Sequence, residues 1–167
     1  MLTIYTPSGE LELKRDELFW TPRRGSVRKI GFGENIINSC ICPGPQKTVT
    51  GILLFGSEGL VIHLRLPSLA PIQSLRLEQP PDAVQIVYDE GCGYLVIAEE
   101  KTLKFRLLNS LERIVSVIGC QQKIDLLHLD GQRLIIVHGF ETTALDLTDI
   151  IPLRQQYLAM ESLESDR

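Results

Sequence analysis

The chain has 167 residues, a formal net charge of −4, and 44% hydrophobic against 23% charged residues. That balance is globular and excludes whole-chain disorder, while the acidic net charge lacks the positive field on which nucleic-acid binding draws, so no nucleic-acid partner is expected. No run of about 18 apolar residues occurs, so no transmembrane helix is expected, and Met1 to Thr6 has no basic flank leading into a long apolar run, so no signal peptide is expected either.

Along the chain, Leu2 to Thr6, Glu10 to Trp20 and Val27 to Phe32 read as three strands of an incomplete first unit over residues 1–33. A second unit, residues 35–78, carries strands over Ile36 to Cys42, Gly51 to Gly56, Leu60 to Leu66 and Ile72 to Leu77, with Pro43 to Val49 as an extra loop. A third, 83–118, carries Val84 to Asp89, Tyr94 to Ala98, Thr102 to Leu107 and Arg113 to Ile118. A fourth, 123–158, carries Ile124 to Leu129, Arg133 to His138, Thr142 to Leu147 and a last strand over Leu153 to Leu158. Residues 159–167 read as a tail, frayed or ending as a short helix.

The units recur at a fixed period. Ile52 to Tyr94 is 42 residues and Tyr94 to Leu134 is 40; Leu60 to Thr102 is 42 and Thr102 to Thr142 is 40. The second strand of each unit is a short, β-branched apolar run, which suits a strand covered on both faces. The third alternates. His63 and Arg65 in one unit, and Lys104 and Arg106 in the next, fall on one side, so this strand is expected to keep one wet face. Asp130-Gly131 and Asp89 to Gly93 mark hairpin turns. Leu66-Pro-Ser-Leu69 and Leu108-Asn-Ser-Leu111 repeat a Leu-x-Ser-Leu pattern between third and fourth strands.

A period near forty with four short strands per unit is the pattern of a β-propeller blade. The expected fold is therefore all-β and propeller-like: about three four-stranded blades, a partial N-terminal blade and a short C-terminal helix or tail, in one domain over 1–155. A compact barrel or sandwich has similar strand lengths and is the competing fold. Closed propellers need four to eight blades. The count therefore suggests part of a longer propeller or an open one closed by a partner, ahead of a four-bladed ring.

The stretches Gly56 to Leu69, Gln85 to Tyr88, Leu95 to Ala98 and Leu103 to Leu111 resemble degenerate WD-repeat blades. They are most similar to those of the lethal giant larvae and tomosyn group, or to the citron-homology domains of vesicle-tethering subunits. The Trp-Asp dipeptide is absent, since Trp20 is followed by Thr21. The resemblance implies a non-enzymatic docking platform in a cytosolic trafficking or polarity assembly.

No chemistry-bearing motif competes with that reading. Cys40 and Cys42 lie on one side of a strand, but further metal ligands at short spacing are missing, so both are read as small buried hydrophobes. With Cys92 and Cys120 they read as free thiols of a reducing compartment, and the expected location is cytoplasmic. Gly31-Phe-Gly33 and Gly91-Cys-Gly93 read as turns, because neither continues into a phosphate loop. No Gly-x-Ser-x-Gly occurs. No catalytic residue, metal or cofactor is expected, and an unrecognised ligand-binding or catalytic site is the alternative.

One stretch stands out. Thr21-Pro-Arg-Arg-Gly-Ser-Val-Arg-Lys29 places Arg23, Arg24, Arg28 and Lys29 around Ser26 without an acid. Arg23-Arg24-Gly25-Ser26 resembles a basophilic kinase target, and a phosphate there adds about two negative charges to the cluster. The loop also suits a partner's acidic patch or an acidic lipid surface, in peripheral contact.

Overall fold

The computed structural model describes residues 2–44, 48–89 and 92–150. The chain divides into two compact units, Met1–Pro80 and Pro81–Arg167.

The first unit contains two four-stranded sheets, each an antiparallel meander. Strands β1 (Leu2–Thr6), β2 (Gly9–Lys14), β3 (Glu17–Pro22) and β4 (Arg28–Gly31) form one; β5 (Ile36–Pro43), β6 (Val49–Gly56), β7 (Leu60–Arg65) and β8 (Pro71–Arg76) form the other. The N-terminal segment thus supplies four strands where three were expected. The stretch Glu10 to Trp20 folds back on itself, with Leu13 opposite Leu18 and Lys14 opposite Glu17. Arg15, at φ 50, makes the turn.

The second unit contains β9 (Ala83–Asp89), β10 (Cys92–Glu99), β11 (Thr102–Leu107) and β12 (Ser110–Gly119) as a third meander, then β13 (Leu126–Asp130), β14 (Arg133–His138) and β15 (Glu141–Asp146). A 3-10 turn, Leu147–Ile150, follows. The expected strand Leu153 to Leu158 and the tail 159–167 lie outside the described residues, so the fourth sheet has three strands among those described. Strands pair within separate sheets, not around one continuous barrel.

Each unit is held by a core between its two sheets. In the first, Leu11, Leu18, Trp20, Ile52, Leu54 and Leu64 are buried together. In the second, Tyr94, Val96, Phe105, Leu127, Leu134 and Ile136 are. The apolar runs of β6 and β10 are covered on both faces, as their composition predicts. The β14 run is not: Ile135 and Val137 stay half-buried while Leu134 and Ile136 are buried. The expected wet face of the third strands also fails at two positions. His63 and Arg106 are 9% and 7% exposed. Each is buried because it finds a partner: Nη1 of Arg106 donates to the Leu111 carbonyl at 2.8 Å, and the imidazole of His63 is bracketed as described below. Arg65 does stay exposed, and Lys104 is half-buried against Glu99 at 2.9 Å.

Turn carbonyls link the sheets within each unit. In the first, the Arg15 carbonyl accepts from Ile36 N and the Asp16 carbonyl from Phe32 N, both at 2.7 Å. In the second, Glu100 and Lys101 accept from Ile124 N and Cys120 N, also at 2.7 Å. Glu100, like Arg15, has positive φ, at 53. Carboxylates make a second recurrent link. Glu34, ahead of β5, accepts from Glu58 N at 3.0 Å and Leu60 N at 2.9 Å. Asp82, ahead of β9, accepts from Glu100 N at 2.6 Å, and Asp125, ahead of β13, from Gly139 N at 2.5 Å.

Glu34 is 8% exposed and also pairs with Arg76 at 2.9 Å. Burial alone would raise its pKa; the Leu60 amide, Arg76 and the Glu58 amide more than offset this and hold the carboxyl below its ordinary value. A depressed folded pKa means that the stabilisation is complete above the unfolded value, near 4.5, and fades as pH falls through the folded value. Glu34→Gln, which keeps the shape but loses the charge, is expected to cost about 1.5–3 kcal/mol at pH 7 by urea denaturation. The gap between wild type and variant is expected to narrow below about pH 4.

Candidate functional site

The basic stretch of the sequence becomes the hairpin connection between β3 and β4. Arg23, Arg24 and Ser26 lie in the loop, and Arg28 and Lys29 open β4. All five are exposed, and Val27 between them is 58% exposed, an apolar side chain at the centre of a cationic loop. The loop leaves β3 at Pro22, which fixes φ there. Gly25, at φ 116, allows the reversal that a side chain would strain.

The base of the loop is fixed. Arg23 N donates to the Ser8 carbonyl at 3.1 Å, in the turn between β1 and β2. Nη1 of Arg28 donates to the Ser68 carbonyl at 2.9 Å, in the connection between β7 and β8. Lys29 is drawn elsewhere. It pairs with Glu17 at 2.5 Å and lies 5.8 Å from the centre of the Phe19 ring, which Lys14 approaches to 4.9 Å. The structure thus leaves Arg23, Arg24 and Ser26 in one loop with Arg28 at the first position of β4, and turns Lys29 to the sheet face. Among the described residues neither Arg23 nor Arg24 has an ion-pair partner. Both guanidinium groups are offered to solvent, beside a serine hydroxyl and an isopropyl group. Such a loop can bind an anionic surface and can be altered by phosphate.

The Cys-x-Cys pair lies in the neighbouring sheet. The Sγ of Cys42, on β5, is 3.5 Å from Nε2 of His63 on β7, and Nδ1 of His63 is 3.3 Å from the Gln73 amide on β8. This row crosses β6 at Gly51, where a Cβ would come within 2.9 Å of Nε2. Sequence reasoning missed the row, because its members are 21 and 10 residues apart. Its order resembles a nucleophile, a base and an orienting amide, but the electrostatics point the other way. Burial pushes the Cys42 thiol up to about 11, and burial with the nearby Cys42 pushes Cys40 up to about 12. Burial and Arg65 lower His63 below the ordinary imidazole value. A protonated thiol beside a neutral imidazole is a packed hydrogen bond, not an activated pair. Among the described residues no group of three or more His, Cys, Asp or Glu side chains is placed to hold a metal ion, and no helix is long and apolar enough to cross a membrane.

Among solved structures, the chain is similar to BamB from Moraxella catarrhalis, at 16% identity and a TM-score of 0.64 over 87% of this chain and 45% of that one. It is also similar to BBS1N solved in complex with ARL6DN, at 9% identity and a TM-score of 0.66 over 84% and 47%. A third likeness, to the computationally designed Ika4 protein, has 10% identity and a TM-score of 0.63 over 87% and 89%. BamB and BBS1N are β-propellers, and the fold of this chain is propeller-like. The chain spans about half the length of those two. No family model and no curated protein matches it in sequence.

The raised thiol values give a labelling prediction. In the native chain at pH 8, Cys42 is expected to resist iodoacetamide for hours while urea-unfolded chain is alkylated within minutes, read by mass spectrometry; alkylation is expected to track global unfolding.

Proposed function

We propose that the chain is a non-enzymatic protein-interaction scaffold whose β3–β4 loop docks an acidic segment of a protein partner. The observation that supports it is the pair of exposed arginines, Arg23 and Arg24, followed by an exposed Val27 on a loop whose two ends are tied down. Fixing the loop before binding lowers the ordering cost of association. Exposed arginines supply steering and register, and the apolar centre supplies buried area. BBS1N, similar in fold, is seen in complex with ARL6DN, so a protein partner is in keeping with this shape. The blade resemblance to the lethal giant larvae, tomosyn and citron-homology proteins extends the proposal to a cytoplasmic trafficking or polarity assembly.

Ser26 gives the loop a control point. A phosphate there would sit among Arg23, Arg24 and Arg28 and satisfy them internally, so an acidic partner would lose its site.

The proposal is tested with a photo-crosslinking side chain in place of Val27. A discrete protein adduct is expected from a cytosolic extract. Arg23→Glu with Arg24→Glu is expected to reduce it at least tenfold, and so is Ser26→Glu or prior treatment with a basophilic kinase. Adduct yield should also fall as salt rises from 50 to 300 mM, on the order of the screening expected for exposed charges. An adduct indifferent to all of these changes would refute docking at this loop.

A further inference from the structure

Leu2 and Ile37 are 49% and 48% exposed, and both line one pocket of about 290 Å³ in the first unit. Each reaches it by its own route. Leu2 stands opposite Leu13 in the register of β1 and β2, and Ile4 opposite Leu11. Directly opposed residues share a face, so the apolar face that buries Ile4 runs on to Leu2, at the start of the strand. On β5, Ile36 pairs with Gly56 and Asn38 with Phe55, which leaves Ile37 as the extra residue of a β-bulge. A bulge bends its strand and re-aims a side chain.

Arg15 lines the same pocket. Its carbonyl accepts from Ile36 N at 2.7 Å, which ties the β2–β3 turn to the start of β5 and sets the arginine beside the bulge. At φ 50 its backbone is left-handed, a conformation that glycine and asparagine adopt at less cost. The turn alone therefore gives no reason for an arginine. Among the described residues Arg15 has no ion-pair partner. Asn38 and Ser39 add polar groups to the lining, and Oδ1 of Asn38 accepts from Ser39 N at 2.9 Å.

Charge and size select the occupant. A guanidinium beside aliphatic walls fits a carboxylate carried on an aliphatic group. The pocket is at the small end of ligand sites, so it admits the end of a chain and not a folded surface. A fatty acid and the last residue of a polypeptide both end in this way. They differ at the next atoms. The amide ahead of a C-terminal residue can bond to Asn38 and Ser39, whereas a hydrocarbon chain would cover those groups without giving them partners. We infer that the pocket receives the C-terminus of a protein partner, with its α-carboxylate on Arg15 and an aliphatic last side chain against Leu2 and Ile37. The inference rests on the interaction reading above but uses the opposite end of β3 from the cationic loop, so failure here leaves crosslinking at Val27 unchanged.

The probe is a peptide, Gly-Ser-Thr-Val-Leu, labelled with fluorescein at its N-terminus and ending in a free carboxylate, titrated into the full chain by fluorescence anisotropy. Saturable binding is expected with a Kd on the order of 100 μM, as suits so short a ligand. Ending the same peptide in a carboxamide is expected to weaken binding at least tenfold, a comparison made on the wild-type chain alone. Arg15→Asn is expected to weaken it as much, while the urea midpoint read from Trp20 fluorescence stays unchanged or rises, because asparagine suits the turn. Ile37→Asn, at an exposed bulge, is expected to weaken binding severalfold. No saturation below 1 mM, equal binding of the carboxamide, or wild-type affinity in Arg15→Asn would overturn the proposal. So would full displacement of the peptide by an equal concentration of decanoate, since the site would then belong to free aliphatic acids.

Discussion

Each sheet after the first is entered past a carboxylate that reaches to the turn between that sheet's own second and third strands. Glu34, Asp82 and Asp125 occupy this position, and backbone amides at Glu58 and Leu60, at Glu100 and at Gly139 donate to them. Meander sheets have little to fix where the incoming chain meets the first hairpin, because hairpin bonds are local and the entry segment is not. An ionised acceptor on backbone amides, two at Glu34 and one each at Asp82 and Asp125, is worth more than a neutral bond and is directional. At Glu34 the fit is tight enough to dictate sequence nearby: a Cβ at Gly56 would overlap the carboxylate. With the turn carbonyls of Arg15 and Glu100 holding the chain as it passes to the next sheet, these bonds fix where each second sheet begins against the first within its unit.

Much of this was legible in the sequence. A period near forty gave the sheets, and β-branched runs gave the covered second strands. The strand missed in the first sheet was also written there. Leu11 and Leu13 occupy odd positions and Leu18 and Trp20 even ones, and an apolar face cannot change parity inside one strand. A two-residue turn at Arg15-Asp16 restores one face to all four, as the burial shows. What stayed hidden depended on tertiary partners. Nothing local distinguishes His63, buried between Cys42 and Gln73, from Arg65, exposed two positions on.

The same division governs the candidate sites. The cationic loop was legible because its residues are consecutive, so charge alone marks it. Its anchoring was not: Arg28 reaches the Ser68 carbonyl forty positions away, and Lys29 leaves the cluster for Glu17 and Phe19.

The turn carbonyls also decide which strands of one sheet the next is tied to within each unit. In the first unit, the bond from Ile36 N to the Arg15 carbonyl joins the start of β5 directly to the first sheet, beside the covalent linker from β4. Arg15 sits between β2 and β3, the two inner strands of its sheet. The second sheet is therefore tied to the middle of the first by this bond and to its outer strand only through the linker.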